Sequence, residues 1–274
     1  MNGNYDKWVI ANHAPCYGID YNVAVKDCQF DIIERIGNSS TSGLIYKIKA
    51  NEYIFALKIM PILDVYNIED NTREIRIAEM GSDLVKKGIC PYFVQVVGYG
   101  YCTDFIFPEE AETFYRFSRE YQQSLGNNET TPVNYLISEL GIMDLKSWIK
   151  QNGDLMLPQF INDVLEAIIC LQNIGIVHSD LHIENVLVMD RGKLCRLMAA
   201  IHDYGRSNTI ISTYQYKLDY LTLLQSLLDH IPKGQLKEII MMMHFNILDD
   251  WNFIKDKKDF MSYVVSKYGS YLLN

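Results

Sequence analysis

The stretch 176–205 constrains this chain more than any other. It reads Ile176-Val177-His178-Ser179-Asp180-Leu181-His182-Ile183-Glu184-Asn185-Val186-Leu187-Val188 and, after a short break, Ile201-His202-Asp203-Tyr204-Gly205. The β-branched run after Asn185 favours a strand. Oxygen-bearing side chains flank that strand, Asp180 and Asn185 before it and Asp203 after it. Magnesium is a hard ion that takes one or two protein oxygens together with phosphate oxygens. Asp203 and Asn185 suit that role, and Asp180 is left to orient a hydroxyl and accept its proton. The expectation is a magnesium-nucleotide site in which positioning and charge neutralisation carry the chemistry.

The rest of the chain bounds that expectation. With 274 residues, 49% of them hydrophobic, it can bury one large core or two small ones. A net charge of −9 argues against a nucleic-acid-binding surface. No apolar run approaches the roughly 18–20 residues that span a bilayer. Residues 1–6 have neither a basic start nor an apolar core, so no secretion signal is expected. The six cysteines (Cys16, Cys28, Cys90, Cys102, Cys170, Cys195) are scattered, with no Cys-x-x-Cys pair. They read as small core residues in a reduced intracellular compartment, without a zinc site.

Taken in order, residues 1–27 show no period, although Tyr5, Trp8, Tyr17 and Tyr21 can pack on the body. Two β-rich runs, 30–36 and 44–48, joined by the small residues 37–43, predict a hairpin. Residues 53–59 predict another strand. Lys58 lies within it between apolar neighbours, an unfavourable place for an ammonium without an anion. Apolar spacing predicts a helix over 67–87. A strand follows over 94–101, then an insertion over about 104–132, then a strand over 133–141. Asp144 is a helix-cap candidate. The helix 158–175 opens on Pro158, stops at Gly175 and carries an apolar face of Ile161, Val164 or Leu165, Ile168 and Leu171. A helix from Asp219 and two more over 233–247 and 256–272 complete the chain.

His178-x-Asp180-x-x-x-x-Asn185 followed by Asp203-Tyr204-Gly205 resembles the catalytic and metal-binding loops of the protein-kinase superfamily. Phe55-Ala56-Leu57-Lys58 resembles that family's third strand, and Arg73-Glu74-Ile75 its C-helix. The resemblance implies an α+β, bilobal fold: an extension over 1–27, a β-rich N-lobe with one helix over 28–140, and a reduced helical C-lobe over 141–274. It implies ATP and Mg2+ as cofactors, with Mn2+ as an alternative ion, and transfer of the γ-phosphoryl group to Ser or Thr of a protein substrate. Residue by residue, it assigns Lys58 to the non-transferred phosphates and Glu74 to Lys58, with Glu79 as the other candidate. Asp180 is the proton acceptor, and Asn185 and Asp203 are the metal ligands. Gly37 and Gly43 belong to the lid, and Ile45, Ala56 and Leu187 to the adenine sandwich. Ser138 stands at the gatekeeper position, and Glu139, Leu140 and Gly141 form the hinge. His178 is read as a packed structural histidine, Asp219 as an anchor for the loop backbone, and His182 as a phosphate contact where many relatives carry lysine.

The chain also departs from the family. Counting back from Ile45, Asn38 and Ser40 stand where two lid glycines are usual, and Gly37 is one residue out of register. Ser179 replaces the arginine that a phosphorylated activation segment pairs with. The segment after Gly205 is short and lacks Ala-Pro-Glu, so a site formed without loop phosphorylation is expected. In these features the chain is similar to haspin-type kinases and to kinases of large DNA viruses, which implies an intracellular location, cytoplasm or nucleus, in a host cell if viral. Asp180-Leu181-His182 also occurs in aminoglycoside and choline kinases. Two alternatives therefore stand beside the protein kinase: a pseudokinase or nucleotide-binding interaction module, and a small-molecule kinase.

Overall fold

The computed structural model describes residues 31–40, 43–50, 53–62, 65–105, 131–191, 197–210 and 212–249. The extension 1–27, most of the insertion 104–132, the helix expected over 256–272, and Cys16, Cys28 and Cys195 lie outside them. The protein is a mixed α+β chain that divides into two compact units: 31–82 with 95–140, and 83–94 with 141–249.

The first unit is built on a five-stranded antiparallel sheet. Its strands are β1 (Asp31–Ser40), β2 (Gly43–Ala50), β3 (Tyr53–Pro61), β4 (Val96–Phe105) and β5 (Thr131–Glu139), in the order β1-β2-β3-β5-β4. Period-two alternation separates the two faces. Leu44, Tyr46 and Ile48 of β2, Phe55, Leu57 and Ile59 of β3, and Val133, Tyr135 and Ile137 of β5 share one buried cluster. Burying side chains of this size contributes about 1.5–3 kcal/mol each. The register Ile45↔Lys58, Ala56↔Ser138 and Lys58↔Leu136 puts the intervening residues on the opposite face. Helix α1 (Val65–Lys86) is tied to the sheet by polar contacts. Asn71 Nδ2 donates to the carbonyl of Pro61 at 3.2 Å, and Ser82 Oγ accepts from Val96 N–H at 3.0 Å.

Two boundaries around this sheet differ from the sequence expectation. Residues 37–43 were expected as a turn, yet β1 continues to Ser40, which pairs with Gly43. Between the Ile36↔Ile45 and Ser40↔Gly43 pairs, residues 37–39 face Leu44 alone. A bulge thus absorbs the extra length that the sequence suggested was loop, and Gly37 lies within a strand. The second difference is that β4 begins at Val96, not Val94. Phe93 and Val94 belong to the other unit, where Phe93 bridges Ile201 in parallel and Val94 N–H donates to the carbonyl of Ile201 at 3.2 Å.

The second unit holds helices α2 (Leu145–Asn152), α3 (Leu157–Asn173), α4 (Thr213–His230) and α5 (Gln235–Asp249). Strands β6 (Met143–Asp144), β8 (Val186–Met189) and β9 (Met198–Ile201) form one antiparallel sheet, and β7 (Ile176–Val177) pairs with β10 (Asn208–Thr209). Asp144 caps α2 by accepting from Ser147 N–H at 2.7 Å. Helix α3 buries Leu157, Phe160, Ile161, Val164, Leu165, Ile168 and Leu171 along one stripe. Asp163 interrupts that stripe for a reason: fully buried, it accepts from Ala199 N–H at 3.0 Å and fastens α3 to β9. Gly175, at φ +80, stops the helix. Helix α4 starts six residues before the expected Asp219, at Thr213, because Ser212 N–H finds Gln215 Oε1 at 2.9 Å and caps the turn. Among the described residues, no helix is long and apolar enough to cross a membrane.

Candidate functional site

In the first unit the centre is Lys58. Its Nζ lies 2.6 Å from Glu74 Oε1, with the side chains only 10% and 4% exposed. A lone ammonium at such depth costs several kcal/mol, and the carboxylate from α1 offsets it. Glu79 makes a different contact, accepting from the Tyr99 hydroxyl and pushing that phenol's pKa up. Ile45, Ala56 and Ser138 stand half-buried on the Lys58 face of the sheet. Gly43 begins β2 at φ +156, where a Cβ would stand 2.5 Å from the carbonyl oxygen of Ile59. Only glycine fits there. Glu139 donates its N–H to the carbonyl of Gln95 at 2.9 Å, and its carboxylate accepts the Gln95 N–H, also at 2.9 Å. Leu140, next along, is half-buried.

In the second unit a single loop gathers the other polar residues. Asp219 on α4 is fully buried and grips two consecutive amides: His178 N–H at 2.8 Å on one oxygen and Ser179 N–H at 2.8 Å on the other. Burial raises the Asp219 pKa, outweighing the His178 charge and those two N–H groups, which act to lower it. This grip holds Ser179 at φ +67, a left-handed conformation that costs a non-glycine residue about 1–2 kcal/mol. His178 is fully buried beneath the loop. Its Nε2 lies 2.9 Å from the carbonyl of His202, its ring packs 5.3 Å from that of Tyr204, and burial lowers its pKa.

Asn185 joins the two halves of the motif. Its Nδ2 donates to the carbonyl of Asp180 at 2.8 Å, and its carbonyl accepts from His202 N–H at 3.1 Å. The adjoining rung Val186↔Ile201 zips β8 to β9, so Asn185 and Asp203 lie at one end of that hairpin. Asp203 itself is half-buried at φ +61, a region that aspartate tolerates better than most residues. His182 faces its own loop, with Nε2 3.3 Å from Asn185 Nδ2 and 3.9 Å from Asp180 Oδ2. Leu187 sits on β8 against Gly141, where a Cβ would stand 3.0 Å from the Leu187 side chain.

With Nδ2 of Asn185 bonded to Asp180, its Oδ1 and the Asp203 carboxylate are the oxygens that would hold a magnesium ion if one binds here. Among the described residues, no three His, Cys, Asp or Glu side chains gather into a metal cage. That is compatible with an ion that takes one or two protein oxygens and the rest from phosphate and water.

Sequence reasoning did not single out several residues that shape this loop. Arg206 places Nη1 3.5 Å from Asp180 Oδ1. Ser207 is fully buried and donates to the carbonyl of His178 at 3.2 Å. Arg191, 1% exposed, donates to the carbonyls of Pro91 and Phe93, fixing the segment that runs beside β9. Cys90 and Cys170, distant in sequence, hydrogen-bond each other, and that bond together with burial pushes the Cys90 thiol pKa up. Arg206 and Ser207 directly follow Gly205, so their adjacency to the motif was the available signal. Nothing in the local sequence marks Arg191 or the cysteine pair.

No protein-family model matches the chain, and no curated protein matches it.

Proposed function

We propose that this protein is a phosphotransferase of the protein-kinase type, reduced in architecture, which moves the γ-phosphoryl group of ATP to Ser or Thr hydroxyls of a protein. The observation that carries this reading is the Asn185-centred loop, where one amide is bonded to Asp180 and lies beside the turn that bears Asp203. The buried Lys58–Glu74 pair supports it independently, since an ammonium fixed at 2.6 Å by a carboxylate keeps its charge for phosphate oxygens.

In this reading Asp180 accepts a hydrogen bond from the acceptor hydroxyl, aligns it, and takes its proton as the new P–O bond forms and the bond from the γ-phosphorus to the β,γ-bridging oxygen breaks, releasing ADP. Lys58 neutralises the non-transferred phosphates. Ile45 and Ala56 in the first unit and Leu187 in the second are the apolar residues that the resemblance assigns to the base, and Ser138, Glu139 and Leu140 those it assigns to its edge. Magnesium, held by Asn185 and Asp203, supplies charge neutralisation on the phosphates when bound. Asp219 is a positioning residue: its two N–H bonds to His178 and Ser179 hold the backbone that presents Asp180. That support is a side chain bonded to the loop backbone, and in this reading it holds the site without activating phosphorylation.

The test is label transfer from γ-labelled ATP with magnesium to a mixed protein substrate. Incorporation is expected at Ser and Thr, and Asp180→Asn is expected to reduce it by about a thousandfold or more. Absence of label, with magnesium-ATP still raising the melting temperature, assigns a nucleotide-binding module instead. Transfer to small alcohols alone assigns a small-molecule kinase.

A further inference from the structure

Arg206 stands beside the proposed base yet has no part in the chemistry above. The turn that carries it is pinned on both sides. Tyr204 is 3% exposed and donates its hydroxyl to the carbonyl of Ile201 at 3.1 Å. Ser207 is buried, with its hydroxyl on the carbonyl of His178 and its N–H on the carbonyl of Tyr204 at 2.9 Å. Between these anchors the Arg206 side chain reaches outward, 73% exposed, while Asp180 is 29% exposed. The guanidinium is therefore the more exposed member of the pair, open to solvent and within reach of a group that approaches Asp180.

We propose that Arg206 is a specificity-determining residue that selects acceptors carrying an anionic group, an acidic side chain or a phosphoryl group, next to the hydroxyl to be phosphorylated. The inference rests on the phosphotransfer reading above. At 3.5 Å the Arg206–Asp180 contact is longer than the roughly 2.7–2.9 Å of a strong charge-assisted bond. An acceptor hydroxyl has to come within about 2.6–3.2 Å of the same carboxylate. As it does so, it shares or displaces the guanidinium. An anion on the acceptor takes over the fork of five donors in exchange, a neutral neighbour leaves it uncompensated, and a cation is repelled. Among the described residues, Lys146 Nζ is engaged 2.6 Å from Glu184 Oε1, and His182 Nε2 lies 3.9 Å from the other Asp180 oxygen, farther than Arg206. The chain's net charge of −9 works the other way at long range, disfavouring acidic acceptors. That field is screened beyond about 8 Å at physiological salt, so the selection is local.

The experiment uses the full chain and four peptides identical except for the residue beside the serine: alanine, glutamate, phosphoserine or lysine. For the unaltered protein, kcat/KM is expected to be about fivefold or more higher on the glutamate or phosphoserine peptide than on the alanine peptide, mostly through KM. Comparing the two anionic peptides tells an acidic side chain from a phosphoryl group as the preferred source. In Arg206→Ala the ratio is expected to fall to about one, and in Arg206→Glu the lysine peptide becomes the best substrate. Equal use of the alanine and glutamate peptides by the unaltered protein overturns the proposal while leaving phosphotransfer standing. So does a preference that survives Arg206→Ala, or a uniform loss of kcat on every peptide, which makes Arg206 a support for Asp180 only. Absence of label on any peptide or protein overturns the phosphotransfer reading, and this proposal with it.

Discussion

At the scale of single residues, burial decides what each charge does. Lys58 and Glu74 are both buried, so removing either partner takes away the 2.6 Å contact that offsets the other's burial. Glu74→Ala is expected to cost about 3–5 kcal/mol, while the double change Lys58→Met with Glu74→Leu recovers most of that loss. Denaturant midpoints of the single and double variants check this. His178 gives a pH signature. Its ordinary value is 6.5, and burial lowers it in the folded protein. Above pH 6.5 both folded and unfolded forms are neutral there, and the contribution is complete. As pH falls through 6.5 the unfolded chain takes up the proton first, and stability declines by up to about 1.4 kcal/mol per pH unit until the folded value is reached. Asp219 acts in the opposite sense: with its folded value raised, it weakens the fold as pH climbs above its ordinary 3.8. His178→Phe is expected to flatten the decline between pH 7 and 5 in denaturation curves while lowering stability throughout. Three of these residues were singled out in the sequence, His178 and Asp219 by the kinase resemblance and Lys58 by its apolar neighbours. Arg206 was not, because an exposed arginine in a turn has no periodic or compositional mark.

Among the elements, strands and helices with a strong period were readable to within a few residues, since alternation in β2, β3 and β5 and the apolar stripe of α3 dictate which face is buried. Apart from the early start of α4, which a local cap explains, the exceptions share a cause, because they depend on pairing between distant segments. The bulge in β1 turns an expected loop into strand, and the segment 91–94 joins β9 rather than β4 through hydrogen bonds that no local pattern encodes. Gly43 tests the sheet. A Cβ there meets the Ile59 backbone, which cannot swing aside, so Gly43→Ala is expected to cost about 1–3 kcal/mol. A melting temperature unchanged from that of the parent protein would show that β2 and β3 part more easily than this pairing implies. At the other end of the range, Asp144→Ala removes one cap bond from α2 and is expected to cost about 1 kcal/mol in the same measurement.

For the whole molecule, two compact units each carry part of one proposed chemistry: the lysine–carboxylate pair in the first, and the base and metal ligands in the second. The residues of both parts were picked out in the sequence, by the kinase resemblance and by the apolar neighbours of Lys58, for the roles that phosphate and magnesium have in the proposed reading. Apart from Asp219, read there as an anchor for the loop backbone, the sequence did not announce how the second part is stiffened, since the Ser207 anchor and the Arg191 staple are contacts between segments far apart in the chain. Calorimetric titration of ATP, with magnesium and with a chelator, into the unaltered protein and Asp203→Asn bears on all of this at once. Asp229→Asn, an exposed change on α4, serves as control. ATP should bind with magnesium and at least tenfold more weakly without it, and Asp203→Asn should lose that difference while the control keeps it. Equal affinity with and without magnesium, or full magnesium dependence in Asp203→Asn, would mean that Asn185 and Asp203 do not form a magnesium-nucleotide site.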